Sequence, residues 1–473
     1  MLHTEPLNKD AQAYFGLNHK ALEGTVLATI INAKVLDVKK YKAVKLNREH
    51  KIVSLKKALS SKGRNFILEC KQSSPTLGDF CKDFNLDKLI SVYKEHANAI
   101  SVLCEEHFFK GSLNYLNYVK SNTDLPCLCK DFIICKSQID MAYNAGADAI
   151  LLMLSVLDKE YFLELYNYAL KLNLDVLVEV ENEDEAYFAK EHNFPIVGIN
   201  NRDLKTLKVD LNKAMKLYPI FNQDQIVISE SGINTHKDLV SLRPISNFLI
   251  GSALTSNKDV SFKAKSMLYG LNKVCGIKTR EALRACVKGH ASIAGFIFVE
   301  KSPRFISPAE ALALKDEFLG KIKFCGVFMD DELEKIVNIA TLLSLDYVQL
   351  HGTENKQFIK NLKEKLPHIK IIKALSIENK DSFKLFNDYM PLCDLFILDA
   401  KKPGSGCTFN WNEIPDYVLK EKTLLSGGIG LENLQSALEQ NFIGLDLNSK
   451  LESEKGLKDP NKIKEALEMI KNF

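Results

Sequence analysis

Residues 66–75 read FILECKQSSP, a short apolar run of strand-forming residues that ends in charged and small polar side chains. Similar runs recur along nearly the whole chain, mostly about four to six residues long, and longer stretches with helical spacing separate them. Because these runs are apolar without strict alternation, we expect strands that are buried on both faces. Such strands are typical of a parallel sheet covered by helices.

The apolar runs occur eight times in each half of the chain. In the first half they begin near Phe66, Ala99, Leu125, Ala149, Asp175, Ile196, Ile226 and Phe248. In the second half they begin near Lys273, Ile293, Lys323, Tyr347, Lys370, Leu395, Thr423 and Ile443. Eight strand–helix units predict a closed barrel, so the expected fold class is α/β with two consecutive (β/α)8 TIM barrels. A doubly wound open sheet is the competing architecture, but no G-x-G-x-x-G motif follows a first strand in either half.

No linker rich in proline, serine or glycine marks the boundary between the two predicted barrels. We therefore predict a first domain over residues 1–256, a short junction over 257–271 and a second barrel over 272–473. The first domain has about sixty residues before its first strand, and residues 27–45 in that segment have helical spacing with many lysines. We expect one or two extra helices there that cap the first barrel.

Composition excludes several classes of protein. The 473 residues are 46% apolar and 26% charged, which is ordinary globular usage and argues against disordered and fibrous proteins. A net charge of +3 is too balanced to favour a nucleic-acid or membrane partner. Neither a signal peptide nor a membrane-spanning run is apparent, and the 11 cysteines form no C-x-x-C pair. We expect reduced thiols and a cytoplasmic location.

Charged residues end several strands of the first half, where barrels of this kind place their active sites. The residues at these strand ends are Glu69, Lys71, Lys130, Glu179, Asn200, Arg202, Glu230, Ser231, Gly232, Gly251 and Ser252. Any one Lys–Glu pair has a structural interpretation as an ion pair. Several charged ends that converge on one mouth are harder to explain by stability, because desolvation costs several kcal/mol per ion, roughly, unless they pair closely.

The chemistry of this set is specific. Two lysines near glutamates can act as a general acid and as a cation that binds a carboxylate, with one glutamate as the base. Ser231–Gly232 and Gly251–Ser252 follow the seventh and eighth strands, where such barrels bind phosphate through backbone N–H groups.

The first half resembles indole-3-glycerol-phosphate synthase over roughly residues 24–256. The segments that carry the resemblance are LECKQSSPTLG, ISVLCEEHFFKGSLNYL, LPCLCKDFII, GADAILLML, VLVEV, GINNRDLKTLKVD, SESGI and IGSAL, in that order. The resemblance implies closure of 1-(2-carboxyphenylamino)-1-deoxyribulose 5-phosphate to indole-3-glycerol phosphate, with loss of CO₂ and water.

The same resemblance implies roles for individual residues. Lys130 would be the general acid in ring closure, and Lys71 would hold the substrate carboxylate. Glu179 would be the general base, assisted by Glu69. The residues that would line the site or hold the substrate and its phosphate are Ser74, Asn200, Arg202, Glu230, Ser231, Gly232, Gly251 and Ser252.

The second half carries a sparser set of candidates at its strand ends and in the loops that follow. They are Cys275, Arg304, Gln349, His351, Asp399, Gly427, Gly428, Asp446, Asn448 and Ser449. A lone cysteine at a strand end is often a buried structural thiol. A thiol that faces a carboxylate across the mouth instead suits a base and an acid that move a proton between adjacent carbons of a sugar. Cys275 would then need a lowered pKa, set by nearby cations or helix N-termini.

This half resembles phosphoribosylanthranilate isomerase over roughly residues 272–473. The segments concerned are KVCGIKTREAL, GFIFVEKSPRFIS, CGVF, VQLHGTE, LDAKKPGSGCTFNW, LSGGIGLENL and GLKDP. The resemblance implies an Amadori rearrangement with Cys275 as general base, Asp399 as general acid and Arg304 on the anthranilate carboxylate. Gly427, Gly428 and the region of Asn448 and Ser449 would bind phosphate.

The second half also departs from the isomerase pattern. The loop Gly404–Cys407 has fewer glycines than usual, and Asn410 precedes Trp411 where aspartate is usual. These departures concern the mobility of the loop and not the chemistry. For His351 we favour a structural or substrate-edge role over that of a second base.

Together the two resemblances imply a bifunctional enzyme for consecutive steps of tryptophan synthesis, in which the C-terminal barrel acts first. We expect small phosphorylated substrates, no cofactor, no metal, no nucleic-acid or membrane partner, and a monomer. One rival is a Schiff-base aldolase with Lys130 as its nucleophile. For the second barrel, the histidine-pathway isomerase performs the same rearrangement but has an aspartate where Cys275 stands. A scaffold with decayed sites is the third alternative.

Overall fold

The apolar runs form parallel strands, and the computed structural model, which describes residues 5–400 and 408–473, closes them into two barrels of eight strands each. The first barrel consists of β1 (Asn65–Cys70), β2 (Ala99–Leu103), β3 (Cys127–Lys130), β4 (Ala149–Met153), β5 (Asp175–Val180), β6 (Ile196–Asn200), β7 (Ile226–Glu230) and β8 (Asn247–Ile250). The second consists of β9 (Lys273–Cys275), β10 (Ile293–Ile297), β11 (Lys323–Phe328), β12 (Tyr347–Leu350), β13 (Lys370–Ile377), β14 (Leu395–Ala400), β15 (Thr423–Leu425) and β16 (Gly444–Leu447).

Each strand pairs in parallel with its neighbours in sequence, and each barrel closes where its first strand pairs with its last. The predicted fold class of two consecutive (β/α)8 barrels is therefore confirmed. The predicted strand starts agree closely with the observed ones. The largest difference is at β3, which was expected near Leu125 and begins at Cys127. Pro126 supplies no N–H to a ladder, which is the physical reason for the later start.

Helices connect the strands and cover the outside of each barrel. The α-helices up to residue 269 are Lys9–Gln12, His19–Leu22, Val26–Val38, Leu55–Ala58, Leu86–His96, Leu113–Ser121, Lys136–Asn144, Lys159–Lys171, Glu183–Glu191, Asn212–Leu217, His236–Ser241, Ser252–Thr255 and Val260–Tyr269. Those after it are Arg280–Lys288, Pro308–Asp316, Leu333–Leu342, Lys356–Lys365, Lys384–Tyr389, Leu434–Glu439 and Pro460–Asn472. Short 3₁₀ turns are Tyr218–Ile220, Lys380–Phe383, Trp411–Glu413, Lys420–Lys422 and Ser449–Leu451.

The chain divides into two compact units. One comprises Met1–Asn234 with Ser241–Ala264, and the other comprises Thr235–Val240 with Lys265–Phe473. The division falls inside the helix Val260–Tyr269, which occupies most of the segment predicted as a junction. Among the described residues, no helix combines the length and the apolar character that crossing a bilayer requires.

The helix Val26–Val38 is the expected N-terminal extension of the first barrel. It begins where the Thr25 hydroxyl accepts a hydrogen bond from the backbone N–H of Ala28, which satisfies one of the free donors at the helix start. Its Lys34 is buried and lies 2.8 Å from an oxygen of Asp131, in the loop after β3. The helix is thus tied to the end of the barrel where the strands terminate.

The opposite end of the first barrel contains a buried cluster of three charges. Asp148, directly before β4, accepts from Arg48 Nη2 at 2.9 Å and from Lys120 Nζ at 2.6 Å. It also accepts from the backbone N–H groups of Val53 and Cys127. The carboxylate therefore joins the segment before β1 to the start of the barrel.

Replacing the central carboxylate of this cluster should destabilise the first barrel. In Asp148→Asn, two buried cations lose their counter-charge, and we expect unfolding free energy to fall by about 3–5 kcal/mol. Urea denaturation followed by circular dichroism measures this change. The matched control is Glu164→Gln, which breaks the exposed pair with Lys136 and should cost less than about 1 kcal/mol. Equal effects of the two substitutions would contradict the structural role of the cluster.

Candidate active sites

The strand ends of the first barrel open into a cavity of about 400 Å³. The predicted residues that line it are Glu69, Lys71, Ser74, Lys130, Glu179, Asn200, Arg202, Ser231, Gly232, Gly251 and Ser252. Glu230 is fully buried beside them and reaches the site through its contact with Lys130. The structure therefore brings together the whole set predicted for this barrel.

Two lysines and two glutamates form an ion cluster in the floor of this cavity. Lys130 Nζ lies 2.7 Å from Glu230 Oε2 and 3.7 Å from Glu69 Oε2. Lys71 Nζ lies 2.8 Å from the other oxygen of Glu69. Glu69 thus lies between the two cations, and the charges come from β1, β3 and β7 and from the residue directly after β1.

Burial and pairing act in opposite directions on this cluster. Burial lowers the pKa of Lys130, but the surrounding carboxylates, Glu230 foremost, outweigh it and raise the pKa above its ordinary value. Burial raises the pKa of Glu69, yet the charges of Lys71 and Lys130 bring it below its ordinary value. Lys130 is therefore a stable ammonium at neutral pH, and Glu69 is a stable carboxylate.

Glu179, at the end of β5, has a different environment. Its Oε1 accepts a hydrogen bond of 3.1 Å from the Asn200 amide. Burial, reinforced by the negative charge of Glu230, raises the pKa of Glu179 to about 7, although Lys130 and the Asn200 amide oppose the shift. A carboxylate that titrates near neutral pH can accept and release a proton, as a general base must.

A glycine in β6 and another directly after β8 make room for the buried carboxylates. A Cβ atom on Gly198 would collide with the Glu230 carboxylate, and one on Gly251 would collide with the Glu69 carboxylate. The sequence predicts Gly251 as a phosphate-binding residue, and the structure adds this second reason for a glycine there. Gly198 is a functional residue that sequence reasoning missed, because a strand glycine has no distinguishing signal in one sequence.

Apolar side chains also line the cavity, and sequence reasoning did not assign them to the site. Val26, Leu27 and Ile30 of the N-terminal helix line it, with Phe109 and Phe132 from the loops after β2 and β3. The helical spacing of the three aliphatic residues was the available signal. An aromatic substrate ring requires such a surface as well as polar contacts.

In the second barrel, Cys275 ends β9 and Asp399 lies near the end of β14, and both are buried. His351, directly after β12, has its Nε2 3.8 Å from Asp399 Oδ2, and its Nδ1 lies 3.3 Å from the Gln349 amide nitrogen. The predicted acid therefore has the histidine at its side. The contact with Gln349 fits the supporting role favoured for His351.

The ionisation of these groups differs in part from the expectation. Burial raises the pKa of Cys275, and Lys273, which lowers it, compensates only in part, so the expected lowered pKa is wrong. Burial and the nearby Asp446 raise the pKa of Asp399 to about 6. Burial, with the positive charges of Lys273 and Lys373, lowers the pKa of His351 to about 4, so the imidazole is neutral at neutral pH.

Arg304 and Asp446 have protein partners. Arg304 is buried and donates from Nε and Nη2 to the two oxygens of Glu452, at 2.6 and 3.1 Å. Lys458 Nζ donates to the same carboxylate at 2.7 Å. Asp446 lies 2.8 Å from Lys273 Nζ inside the barrel. Asp446 was expected among the residues that bind the substrate and its phosphate, but a carboxylate repels phosphate, and this one is held by a lysine.

The remaining candidates lie in the loops after β15 and β16. Gly427 and Gly428 have positive φ of 91° and 63°, which other residues rarely adopt, and a Cβ on Gly427 would lie 3.5 Å from Asp399 Oδ1. Asn448 Oδ1 accepts from Lys458 Nζ at 3.0 Å, and Ser449 begins a 3₁₀ turn. These loops therefore lie beside Asp399 and beside the cations Arg304 and Lys458.

The two departures from the isomerase pattern have different outcomes. Gly404–Cys407 lies outside the described residues. Asn410 caps the 3₁₀ turn Trp411–Glu413, because its side-chain oxygen accepts from the backbone N–H of Asn412. Asparagine and aspartate are about equally good at such a position, so the substitution preserves the turn.

Sequence reasoning missed three charged residues of the second site, which are Lys273, Glu452 and Lys458. Lys273 could have been found by its position two residues before Cys275, which puts both side chains on one face of the strand. Lys458 lies in the quoted GLKDP segment. Glu452 had no signal in the sequence, since its importance comes from the two cations that it joins.

Comparisons with known proteins match both halves. The model of the family "Indole-3-glycerol phosphate synthase" matches residues 27–267, and that of "N-(5'phosphoribosyl)anthranilate (PRA) isomerase" matches residues 272–469. In solved structures, the chain is similar to phosphoribosyl anthranilate isomerase from Thermotoga maritima, with 32% identity and a TM-score of 0.40, over 43% of this chain and 98% of that one.

Curated relatives extend over nearly the entire chain. The tryptophan biosynthesis protein TrpCF of Helicobacter pylori is 40% identical over 459 residues, which cover 95% of this chain and 100% of the relative. The protein of the same name in Haemophilus influenzae is 37% identical, over 92% of this chain and 96% of the relative. The chain therefore belongs to the family of bifunctional tryptophan-biosynthesis enzymes that join an indole-3-glycerol-phosphate synthase to a phosphoribosylanthranilate isomerase.

Proposed function

We propose how the residues of each barrel carry out the reactions of this bifunctional enzyme. The C-terminal barrel isomerises N-(5-phosphoribosyl)anthranilate, and the N-terminal barrel converts the product to indole-3-glycerol phosphate. The proposed functional units are residues 1–256 and 272–473, joined by 257–271. A monomeric state and a cytoplasmic location stay predictions from the sequence.

In the isomerase, Asp399 protonates the ring oxygen of the ribose, and the ring opens to an imine. Cys275, as thiolate, then removes the proton from the adjacent carbon, and the resulting enolamine rearranges to the ketone. The raised pKa of Asp399, about 6, supports the acid role because a fraction of this carboxyl is protonated near neutral pH. The glycines after β15 and the loop of Asn448 and Ser449 are the proposed phosphate site.

In the synthase, Lys71 holds the substrate carboxylate until it leaves as CO₂. Lys130 protonates the ketone oxygen as the aromatic carbon attacks, and the hydroxyl then leaves as water. Loss of CO₂ restores the benzene ring, and Glu179, with Glu69 in support, removes a proton from the methylene carbon beside the nitrogen as the hydroxyl leaves, which completes the indole ring. The predicted phosphate site is formed by Gly232 and by the loop of Gly251 and Ser252, on the rim of the same cavity.

One contrast carries the synthase proposal. Within one cavity, Lys130 keeps its proton because carboxylates surround it, whereas Glu179 titrates near neutral pH because it is buried near Glu230. Groups with such separated pKa values are suited to act as acid and base. The same contrast argues against a Schiff-base aldolase, since an amine nucleophile must be unprotonated and Lys130 is held as an ammonium.

Lys130→Met should abolish formation of indole-3-glycerol phosphate and leave the isomerase intact, because the acid is lost from one barrel only. We expect the synthase kcat to fall by about 10²–10⁴-fold, measured by product formation from the isolated ketose substrate. Lys136→Met, which removes an exposed lysine close in the chain, is the matched control and should keep full activity. A loss below about tenfold in Lys130→Met would mean that the lysine has only a structural role.

The synthase should depend on the ionisation of Glu179. A base works in its ionised form, so kcat/KM should rise with pH through about 7, the raised pKa of Glu179. A second carboxyl complicates the assignment, because burial raises the pKa of the adjacent Glu181 to about 8. Glu181→Gln should therefore keep the rising limb, whereas Glu179→Gln should lose about 10²–10⁴-fold in rate. If the rising limb disappeared in Glu181→Gln, the titration would belong to Glu181 and the assignment to Glu179 would be wrong.

Cys275→Ser and Asp399→Asn should each reduce the isomerase kcat by at least about 10²-fold, because a serine hydroxyl is not ionised and an amide donates no proton. Loss of substrate fluorescence measures the isomerase. Synthase activity should be unchanged in both variants. Cys286→Ala, which changes a buried thiol on the helix Arg280–Lys288, is the control and should stay active. Near-full activity of Cys275→Ser would make Cys275 structural.

A further inference from the structure

Inside the second barrel lies a buried ion pair to which neither reaction assigns a role. Lys273 begins β9 and is fully buried, and its Nζ lies 2.8 Å from Asp446 Oδ1. The two residues are direct neighbours in the ladder between β9 and β16. Burial lowers the pKa of Lys273, but Asp446 foremost, with the thiols Cys275 and Cys325, outweighs it and raises the pKa, so Lys273 stays an ammonium.

The positive end of the pair lies against the thiol. Lys273 and Cys275 point to the same side of β9, because alternate side chains of a strand share a face. A Cβ atom on Gly295 of β10 would lie 2.9 Å from Cys275 Sγ and 3.2 Å from Lys273 Cε. The sulfur and the lysine stem are therefore packed side by side over a glycine whose missing side chain leaves room for both.

The negative end of the pair acts on the other reacting group. The charged groups that act on Asp399 are Asp446, Lys273 and Arg304, and His351 lies at its edge. Those that act on Cys275 are Lys273, Asp446 and Lys458. After burial itself, Lys273 has the largest effect on the pKa of Cys275 and lowers it. For the pKa of Asp399 the corresponding group is Asp446, which raises it.

We infer that the Lys273–Asp446 pair is a positioning pair that polarises the isomerase site, favouring the thiolate of Cys275 and the protonated form of Asp399. This inference rests on the proposed roles of Cys275 and Asp399. Burial alone would leave the thiol protonated, and the lysine counteracts that effect at the one atom that must lose its proton. Asp446 keeps the lysine from also ionising the acid.

Stability is a weaker explanation for the pair. A buried ion pair is often no more stabilising than apolar residues of the same volume. An apolar pair would fill the same volume. The pKa values of the base and the acid would then depend only on burial and on the remaining charges, Lys458 and Arg304. The direction of the dipole, with its cation at the thiol, matches the ionisation that the rearrangement needs.

The test is the pH profile of isomerase kcat/KM in single and double variants. Lys273→Met removes the cation that lowers both pKa values, so the whole profile should move to higher pH by about one unit. Asp446→Asn removes the anion that raises both, so the profile should move to lower pH. Lys273→Met/Asp446→Asn should give a lower and broader profile, because the pKa of Cys275 rises while that of Asp399 falls. Losses of activity without these opposite displacements would overturn the inference.

A direct readout of the thiol accompanies the profiles. The rate at which iodoacetamide alkylates Cys275, followed on the Cys275 peptide by mass spectrometry, should fall by about tenfold at neutral pH in Lys273→Met and rise in Asp446→Asn. Single variants leave one buried charge without its partner, so synthase activity and circular dichroism check the fold. Should the single variants not fold, the double variant decides, since it contains no uncompensated charge.

The outcomes distinguish the proposed roles of Cys275 and Asp399 from the inferred role of the Lys273–Asp446 pair. If Cys275→Ser and Asp399→Asn keep isomerase activity, the proposed roles of these residues are wrong. Suppose instead that Cys275→Ser and Asp399→Asn lose activity, while the ion-pair variants keep the wild-type pH profile and the wild-type alkylation rate. Then only the inference about Lys273 and Asp446 is wrong.

Discussion

A charge that enters the interior of a barrel costs several kcal/mol, roughly, unless an opposite charge or several hydrogen bonds compensate it. This constraint governs both barrels. At one end of the first, Asp148 holds two cations between the N-terminal segment and the sheet, and at the other end Glu230 holds Lys130. In the second, Asp446 holds Lys273. Each pairing fixes the positions of side chains that would otherwise have many rotamers.

Groups that lack a close counter-charge acquire a different property. Glu179 contacts an amide and not an ammonium, and burial raises its pKa to about 7. Asp399 accepts a hydrogen bond from the backbone N–H of Ala400, and its pKa rises to about 6. The same physical cause, desolvation with incomplete compensation, therefore produces titratable carboxyls in both mouths. Fully paired neighbours such as Glu69 stay ionised, and their charges shift the pKa values of the groups around them.

The elements predicted from the sequence are those whose signal is local. Each apolar run contains its own evidence for a buried strand, and eight of them in each half leave a closed parallel barrel as the simplest arrangement. Because the carboxyl ends of parallel strands meet, Lys130, Glu179 and Glu230 could be assigned to one mouth before any coordinates. The motif segments of the isomerase family added the roles of Cys275 and Asp399.

Other features depend on contacts between residues that are distant in the chain. Arg304 and Glu452 are brought together by the closure of the barrel, and so are Lys273 and Asp446, so neither pair could be predicted from one sequence. The pKa of Cys275 was expected below its ordinary value because cations are near, yet full burial raises it. Strand order and the chemistry of the strand ends were thus determined by the sequence alone. The pKa of each charged group was decided by its burial in the tertiary structure, because desolvation depends on everything that surrounds the group.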